Sequence, residues 1–210
     1  MDAAVKKLAA IAIAIVVSAM APPMPAFALN VDLSNPAFAA TGRMQTSTPI
    51  GHAEFCHFHR TECGPNTALV SAVELTPDNW QQLIAINNRF NTGITPVTDA
   101  QLYNVAEFWT YPDRFGDCED FALAKRRALI EIGWPQSTLL ITVVRQKNGE
   151  GHAVLMVRSD RGDLILDNQD ALIRLWTDTP YQYLKRQSQA DAGKWVDIVD
   201  DDNRLALLER

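Results

Sequence analysis

The sequence predicts an α+β fold in which one helix packs against an antiparallel sheet. Apolar residues recur at helical spacing from about residue 117 to residue 131, and Gly133-Trp134-Pro135 ends that pattern. The period then changes, because three β-rich runs follow at 139–145, 152–158 and 163–167. Turn-forming segments rich in Asn, Gly, Asp and Ser separate these runs and are typical of hairpins. A helix followed by hairpin strands indicates the α+β class.

The first 28 residues have the pattern of a secretory signal peptide. Lys6 and Lys7 precede an apolar run over residues 8–19, and Ala26-Phe27-Ala28 supplies a small-x-small cleavage pattern. The apolar run is shorter than the roughly 20 residues that a membrane span requires. We therefore expect an exported protein and exclude residues 1–28 from the fold, with an uncleaved anchor as the alternative.

The rest of the 210-residue chain is long enough for one domain with a hydrophobic core. We expect an N-terminal lead over residues 29–74, a core over 75–200 and a polar tail over 201–210. The first part of the lead, residues 30–52, is expected to wrap over the domain surface. A formal net charge of −6 without clustering argues against nucleic acid as a partner, and a hydrophobic content of 47% argues against disorder.

Three cysteines in an exported chain indicate one disulfide and one free thiol. Cys56 and Cys63 are close in sequence and are the expected pair. Their disulfide would stabilise the fold by roughly 2 kcal/mol, a value at the low end of the usual range because the loop is short. Cys118 is then the free thiol. Zinc is the alternative, because His57 and His59 could complete a Cys2His2 set with the two cysteines. Another alternative is that these histidines serve the active site.

Two helices are expected between the lead and the main helix. The first covers about residues 78–90, with Thr76 or Asp78 as its N-cap and Gly93 in the segment that ends it. The second is shorter, covers about residues 99–108 and is capped by its first residue, an aspartate.

The order Cys118, His152, Asp167 predicts a catalytic triad. Thiol catalysis needs a thiolate, a base that generates it and a group that orients the base. Cys118 lies in the first turn of the main helix, where the helix dipole favours a thiolate. His152 opens one strand and Asp167 ends the next, so a hairpin between them brings the two side chains within hydrogen-bonding reach. The alternatives are that Cys118 is only a small buried hydrophobic residue and that His152 has a structural role.

Three acidic residues flank the thiol: Asp117, Glu119 and Asp120. Nearby anions raise a thiol pKa, so the cluster needs a positive charge to neutralise it. A calcium ion suits hard carboxylate oxygens and would supply that charge. Ordinary capping of the helix N-terminus is the alternative. A non-catalytic, calcium-dependent binding module therefore stands beside the enzyme as a second functional hypothesis.

These motifs together resemble the bacterial transglutaminase-like cysteine proteinases, whose best-known members are periplasmic proteases of the LapG type. The resemblance lies in Gly116-Asp117-Cys118-Glu119-Asp120-Phe121-Ala122 with Lys125, in Gly151-His152-Ala153-Val154 and in Leu166-Asp167-Asn168. It implies a papain-like, transglutaminase-type core, and it implies a periplasmic location for the protein. It also implies Cys118 as the nucleophile, His152 as the general base and acid, and Asp167 as the residue that orients His152.

The resemblance further implies calcium bound at Asp117, Glu119 and Asp120. It implies two protein partners, a large surface adhesin as the substrate and an inner-membrane cyclic-di-GMP receptor that sequesters the protease. The expected chemistry passes through a thioester, with the Cys118 amide and the Trp109 indole as candidate donors to the oxyanion. If an amine instead of water resolves the thioester, the enzyme is a transglutaminase or amidase, and the residues leave that choice open.

Overall fold

A computed structural model describes residues 31–199, which contain a seven-stranded antiparallel sheet, a small two-stranded parallel sheet and four helices. The predicted signal peptide and the predicted polar tail lie outside the described residues. The helices are α1 (Ile50–Phe58), α2 (Pro77–Gly93), α3 (Asp99–Leu102) and α4 (Cys118–Glu131). The strands are β1 (Ala40–Thr46), β2 (Thr95–Pro96), β3 (Phe115–Gly116), β4 (Leu139–Arg145), β5 (Gly151–Ser159), β6 (Gly162–Leu166), β7 (Arg174–Leu175), β8 (Gln182–Gln187) and β9 (Trp195–Val199).

The main sheet has the strand order β1-β9-β8-β4-β5-β6-β7. Its centre is the predicted meander, since β4 pairs with β5 and β5 pairs with β6, both antiparallel. Gly162 makes the turn between β5 and β6 possible: its φ of 111° is a conformation that side chains disfavour, and a Cβ there would lie 2.7 Å from the Ala37 carbonyl oxygen. The predicted α+β class is confirmed, and so are the two predicted hairpins β4–β5 and β5–β6.

Helix α4 packs on the central strands and contributes side chains to the largest hydrophobic cluster. It begins and ends where the sequence predicts, and Leu123 and Leu129 are buried in one hydrophobic cluster with Leu155 and Val157 of β5. Burial of such side chains contributes about 1.5–3 kcal/mol each, so this contact holds the N-terminus of α4 firmly at the sheet. Helix α2 packs on the other side of α4.

The two upstream helices differ from the sequence expectation in length and capping. Helix α2 begins after Thr76, whose hydroxyl accepts the Asn79 amide, but it continues through Gly93 instead of ending near residue 90. Helix α3 is a single turn, and Thr98 caps it, not Asp99. The Asp99 carboxylate instead accepts the Phe108 amide, and this long-range contact replaces the expected helix over 99–108.

The lead is more integrated than a surface wrap. Residues 40–46 form β1, an edge strand that pairs with β9 near the C-terminal end of the described chain. The sequence did not predict this strand because most of its residues are exposed and polar, so it lacks the alternation of a half-buried strand. Helix α1 and strands β2, β3, β7, β8 and β9 are likewise not predicted from the sequence. All described residues belong to one compact unit.

A disulfide joins Cys56 in α1 to Cys63, as the cysteine spacing predicts. The thiolates that a zinc site needs are therefore absent, and His57 is exposed to solvent. A different histidine, the buried His52, lies against the sulfurs, and its Nδ1 accepts the Trp195 indole N–H at 3.1 Å. Burial lowers the pKa of His52 to about 4, so it is neutral at physiological pH.

Removing the disulfide should lower the stability of the fold without unfolding the protein. We expect the double variant Cys56→Ser, Cys63→Ser to lose about 2 kcal/mol of unfolding free energy, since the unfolded chain regains the entropy of a short loop. Urea unfolding of the variant checks this. Wild-type protein treated with dithiothreitol should then unfold at the same urea concentration as the variant, and identical midpoints for all three samples would contradict the expectation.

Within residues 31–199 no helix combines the length and the apolar character that crossing a bilayer demands.

Candidate active site

Cys118 begins α4 and is the free cysteine of the described chain. Its thiol donates to Glu119 Oε2 at 3.2 Å, and its Sγ accepts the Ala153 amide at 3.4 Å. Gly116 allows the tight entry into the helix, because a Cβ there would lie 2.7 Å from Asp120 Oδ2. The sulfur therefore lies against β5 at the residue that follows His152.

His152 and Asp167 form a buried pair. His152 Nε2 lies 2.9 Å from Asp167 Oδ1, and each residue is only 3% exposed. The β5–β6 register aligns Leu155 with Leu166, which puts Asp167 opposite Val154, two residues from His152. Since Asp167 engages Nε2, Nδ1 is the ring nitrogen left for proton exchange with a thiol.

Asp167 has further partners that the sequence did not reveal. Its Oδ2 accepts the Tyr181 hydroxyl at 2.5 Å, and its Oδ1 also accepts the Gln169 amide. Burial alone would raise the pKa of Asp167, but the hydrogen bonds from His152, Tyr181 and Gln169 outweigh burial and lower it. Asp167 is thus an ionised carboxylate suited to hold an imidazole. Tyr181 lies in a loop outside any motif, so no sequence signal could identify it.

A cavity of about 430 Å³, the thiol pocket, opens at Cys118 and His152. Trp109 and Glu107 form part of its wall, and Lys185 contributes a positive charge. The Trp109 indole N–H donates to Glu107 Oε2 at 3.0 Å. The indole was a candidate oxyanion donor, and in this structure Glu107 holds its N–H.

Three carboxylates converge beside the thiol and form the acidic cluster, Asp99, Asp117 and Glu119, with one oxygen of each within 4.8 Å of the others. Two of them, Asp117 and Glu119, are predicted ligands. Asp99 was expected only as a helix cap, and only the tertiary fold brings it to the site. The Asp117 side chain caps no helix amide of α4 and instead accepts the Asp99 amide at 3.1 Å.

Asp120, the third predicted ligand, lies outside this set of three. Its Oδ1 accepts the Thr110 amide at 2.8 Å, while Asp99 accepts the Phe108 amide. The two aspartates therefore hold the backbone on either side of Trp109. Burial raises the pKa of Asp120 to about 7.

The surroundings of Cys118 in this structure favour the thiol over the thiolate. Burial and the neighbouring Glu119 raise the pKa of the Cys118 thiol well above its usual value, despite the amide of Ala153. Burial, followed by the contact with Asp117, also raises the pKa of Glu119. Burial and the acidic groups around Cys118 thus counteract the helix dipole.

The donor set of the acidic cluster fits a hard divalent cation. One carboxylate oxygen of each member, Asp99 Oδ1, Asp117 Oδ1 and Glu119 Oε1, is buried without a hydrogen-bond partner. Buried polar atoms normally have partners, and three such oxygens at one point suit a positively charged group. Carboxylate oxygens of this kind are the ligands that calcium prefers.

An α+β fold with a thiol at a helix start, beside a histidine–carboxylate pair on an antiparallel sheet, defines the class of papain-like thiol enzymes. A model of the bacterial transglutaminase-like cysteine proteinase family matches residues 42–203, so the chain belongs to that family. The protein is therefore a transglutaminase-like cysteine protease and acts on a protein substrate. The match begins within β1, so the family region includes much of the lead.

Solved structures of LapG from Legionella pneumophila are similar to this chain. The calcium-bound form is 26% identical, with 59% of this chain and 71% of that chain covered and a TM-score of 0.49. An EGTA-treated form is 25% identical, with 60% and 70% covered and a TM-score of 0.49. A search among curated proteins found no significant match.

Proposed function

We propose that this protein is an endopeptidase that uses Cys118 as its nucleophile, His152 as its general base and acid, and Asp167 as the residue that orients His152. One observation carries the proposal: the amide next to His152 contacts the Cys118 sulfur, while the His152 ring is bound to Asp167. The proposed nucleophile and base thus line one pocket, and the orienting group is bonded to the base.

The proposed reaction proceeds through a thioester. His152 Nδ1 takes the proton of Cys118, and the sulfur attacks the carbonyl carbon of the scissile peptide. The backbone amide of Cys118 at the α4 N-terminus stabilises the oxyanion. The C–N bond then breaks as the leaving amine receives the proton from His152. Water attacks the thioester, gives its proton to His152 and regenerates the thiol with release of the acid product.

We propose that Asp99, Asp117 and Glu119 hold a calcium ion. Asp99 replaces Asp120 in the ligand set because an oxygen of Asp99 lies within 4.8 Å of the Asp117 and Glu119 oxygens, and Asp120 is not part of that group. When bound, calcium offsets the negative charge beside Cys118.

We propose a periplasmic location, supported by the signal-peptide pattern and by the disulfide, which forms in oxidising compartments. Membership in the family supports a large surface adhesin as the substrate and an inner-membrane cyclic-di-GMP receptor as the regulator. Chemistry on an amine acceptor instead of water remains the alternative use of the same triad.

The raised pKa of the buried Cys118 thiol favours a second candidate, a non-catalytic calcium-dependent binding module. Alkylation separates the two candidates. At pH 7.5 with calcium, we expect iodoacetamide to modify Cys118 at least tenfold faster in wild type than in His152→Ala, because general bases contribute about 10²–10⁴-fold. Mass spectrometry locates the modification. Equally slow rates in both proteins would support the binding module and oppose the enzyme.

Tyr181→Phe should impair the triad without touching the nucleophile. The hydroxyl donates to the Asp167 carboxylate, so its loss should raise the pKa of Asp167, cost roughly 1.5–3 kcal/mol of unfolding free energy at pH 7 and lower kcat/KM about tenfold. Because the folded pKa of Asp167 is depressed, this stability exists above the unfolded pKa of about 3.9 and is lost as pH falls through the folded value.

Urea unfolding from pH 7 down to about pH 2, which crosses the unfolded pKa and extends below it, measures that effect. The gap between wild type and Tyr181→Phe should be widest at pH 7 and begin to narrow near pH 4. Tyr103→Phe, at an exposed tyrosine, is the matched control. If the difference in unfolding free energy stays constant over the whole range and kcat/KM is unchanged, the Tyr181 side chain contributes only packing.

A further inference from the structure

A second cavity lies beside the thiol pocket, and Trp109 lines both. This aromatic pocket has a volume of about 420 Å³ and is lined chiefly by the rings of Phe55, Phe58, Phe108 and Trp109. Its size falls within the roughly 300–1,000 Å³ of ligand pockets, and its apolar lining suits a hydrophobic side chain. The catalytic chemistry proposed above makes no use of it.

Helix α1 borders both cavities. Ile50 at its first turn lines the thiol pocket, and Phe58 at its last turn lines the aromatic pocket. At a rise of 1.5 Å per residue these positions lie about 12 Å apart along the helix. An extended peptide spans that distance with three to four residues, at about 3.3 Å per residue.

The side chains along this path are apolar and exposed. Ile50 is 70% exposed, Phe58 77% and Phe108 40%. Neighbouring exposed side chains of this size are typical of surfaces that bind another molecule. Glu54 and His57 add polar groups to the lining.

The floor of the aromatic pocket is rigid. Phe55 is buried and stacks on His59 with ring centroids 4.2 Å apart, and the disulfide ties the end of α1 to the following segment. Gly51 lets α1 approach Trp109 closely, since a Cβ there would collide with the indole. A preformed pocket loses little entropy on binding, which favours affinity.

We propose that the aromatic pocket is a substrate subsite that takes a large apolar or aromatic side chain three to four residues from the scissile bond. The occupant is the substrate chain itself, because a polypeptide held at Cys118 meets the pocket on the other side of Trp109. This proposal rests on the endopeptidase function and adds the class of side chain that the substrate must carry.

The test uses a library of peptides from a digested proteome, incubated with the full-length wild-type protein and calcium. Mass spectrometry of the products aligns the cleavage sites. We expect Phe, Tyr, Trp, Leu or Met to be enriched at one position within four residues of the cut. Two peptides that differ only by Leu or Ser at that position then give kcat/KM for each protein variant.

Phe58→Ser should lower kcat/KM for the Leu peptide about tenfold and leave the Ser peptide nearly unchanged. Phe58 is exposed, so the variant should fold, and iodoacetamide should modify Cys118 at the wild-type rate. Leu69→Ser, at an exposed leucine outside both pockets, is the matched control and should behave like wild type.

The outcomes separate the subsite from the proposed function. Cleavage with no apolar preference, or an equal loss on both peptides in Phe58→Ser, would overturn the subsite alone. Absence of any cleavage by wild type, or cleavage that persists in Cys118→Ala, would overturn the endopeptidase and the subsite with it.

Discussion

Replacing Cys118 with alanine is expected to abolish peptidase activity, with a loss on the order of 10⁶ in kcat, as for removal of the nucleophile from other catalytic triads. The reason is that no other free thiol exists: the sequence has three cysteines, and two of them form the disulfide. The measurement is the rate of peptide cleavage in the presence of calcium.

The fold should survive this change. Alanine has the highest helix propensity, and the α4 core contacts lie further along the helix. We expect the melting temperature of Cys118→Ala to stay within a few degrees of wild type, and iodoacetamide labelling to disappear. The residue offers a matched control, Cys118→Ser, which keeps the size and polarity of the side chain but lacks a thiolate, and it should be nearly as inactive. Substantial activity in Cys118→Ala would exclude it as the nucleophile.

Removal of the proposed calcium ion should have the second large effect. At a calcium concentration about 100 times the dissociation constant, binding stabilises a protein by about 2.7 kcal/mol, so EGTA should lower the melting temperature by roughly 5–10 °C. The physical cause is the set of buried carboxylate oxygens in the acidic cluster, which lack partners and repel one another without the ion. Differential scanning fluorimetry with calcium and with EGTA measures the shift.

Asp99→Asn makes this test specific to the cluster. The variant loses one negative charge, so without calcium it should be at least as stable as wild type, while its response to calcium should shrink to a degree or two. Asp178→Asn, which removes an exposed acid elsewhere, should keep the full response. If EGTA leaves the melting temperature of wild type unchanged, or if Asp99→Asn responds to calcium as fully as wild type does, the cluster does not hold the ion.

The acidic cluster also bears on the substrate site. Asp99 and Asp120 hold the Phe108 and Thr110 amides, and Trp109 between them separates the two pockets. A change in the charge of the cluster should therefore shift Trp109, which lines both the thiol pocket and the proposed subsite. Calcium removal should consequently raise KM as well as lower kcat.

Local patterns in the sequence determined the fold class, helix α4, the three strands of the central meander and the Cys56–Cys63 pair. These features depend on short-range signals: apolar periodicity, turn residues and cysteine spacing. The proximity of Cys118, His152 and Asp167 could also be predicted, because a helix start and two adjacent hairpin strands constrain their positions. The bonded His152–Asp167 pair follows directly from the β5–β6 register.

Only the tertiary structure decided which acid joins Asp117 and Glu119. Asp120 is adjacent in sequence but turns toward Thr110, whereas Asp99 comes from an earlier turn of helix through backbone contacts. Tyr181 reaches Asp167, and β1 reaches β9, in the same long-range way. Such contacts carry no local signal, because their free energy comes from burial and hydrogen bonding between segments far apart in the chain.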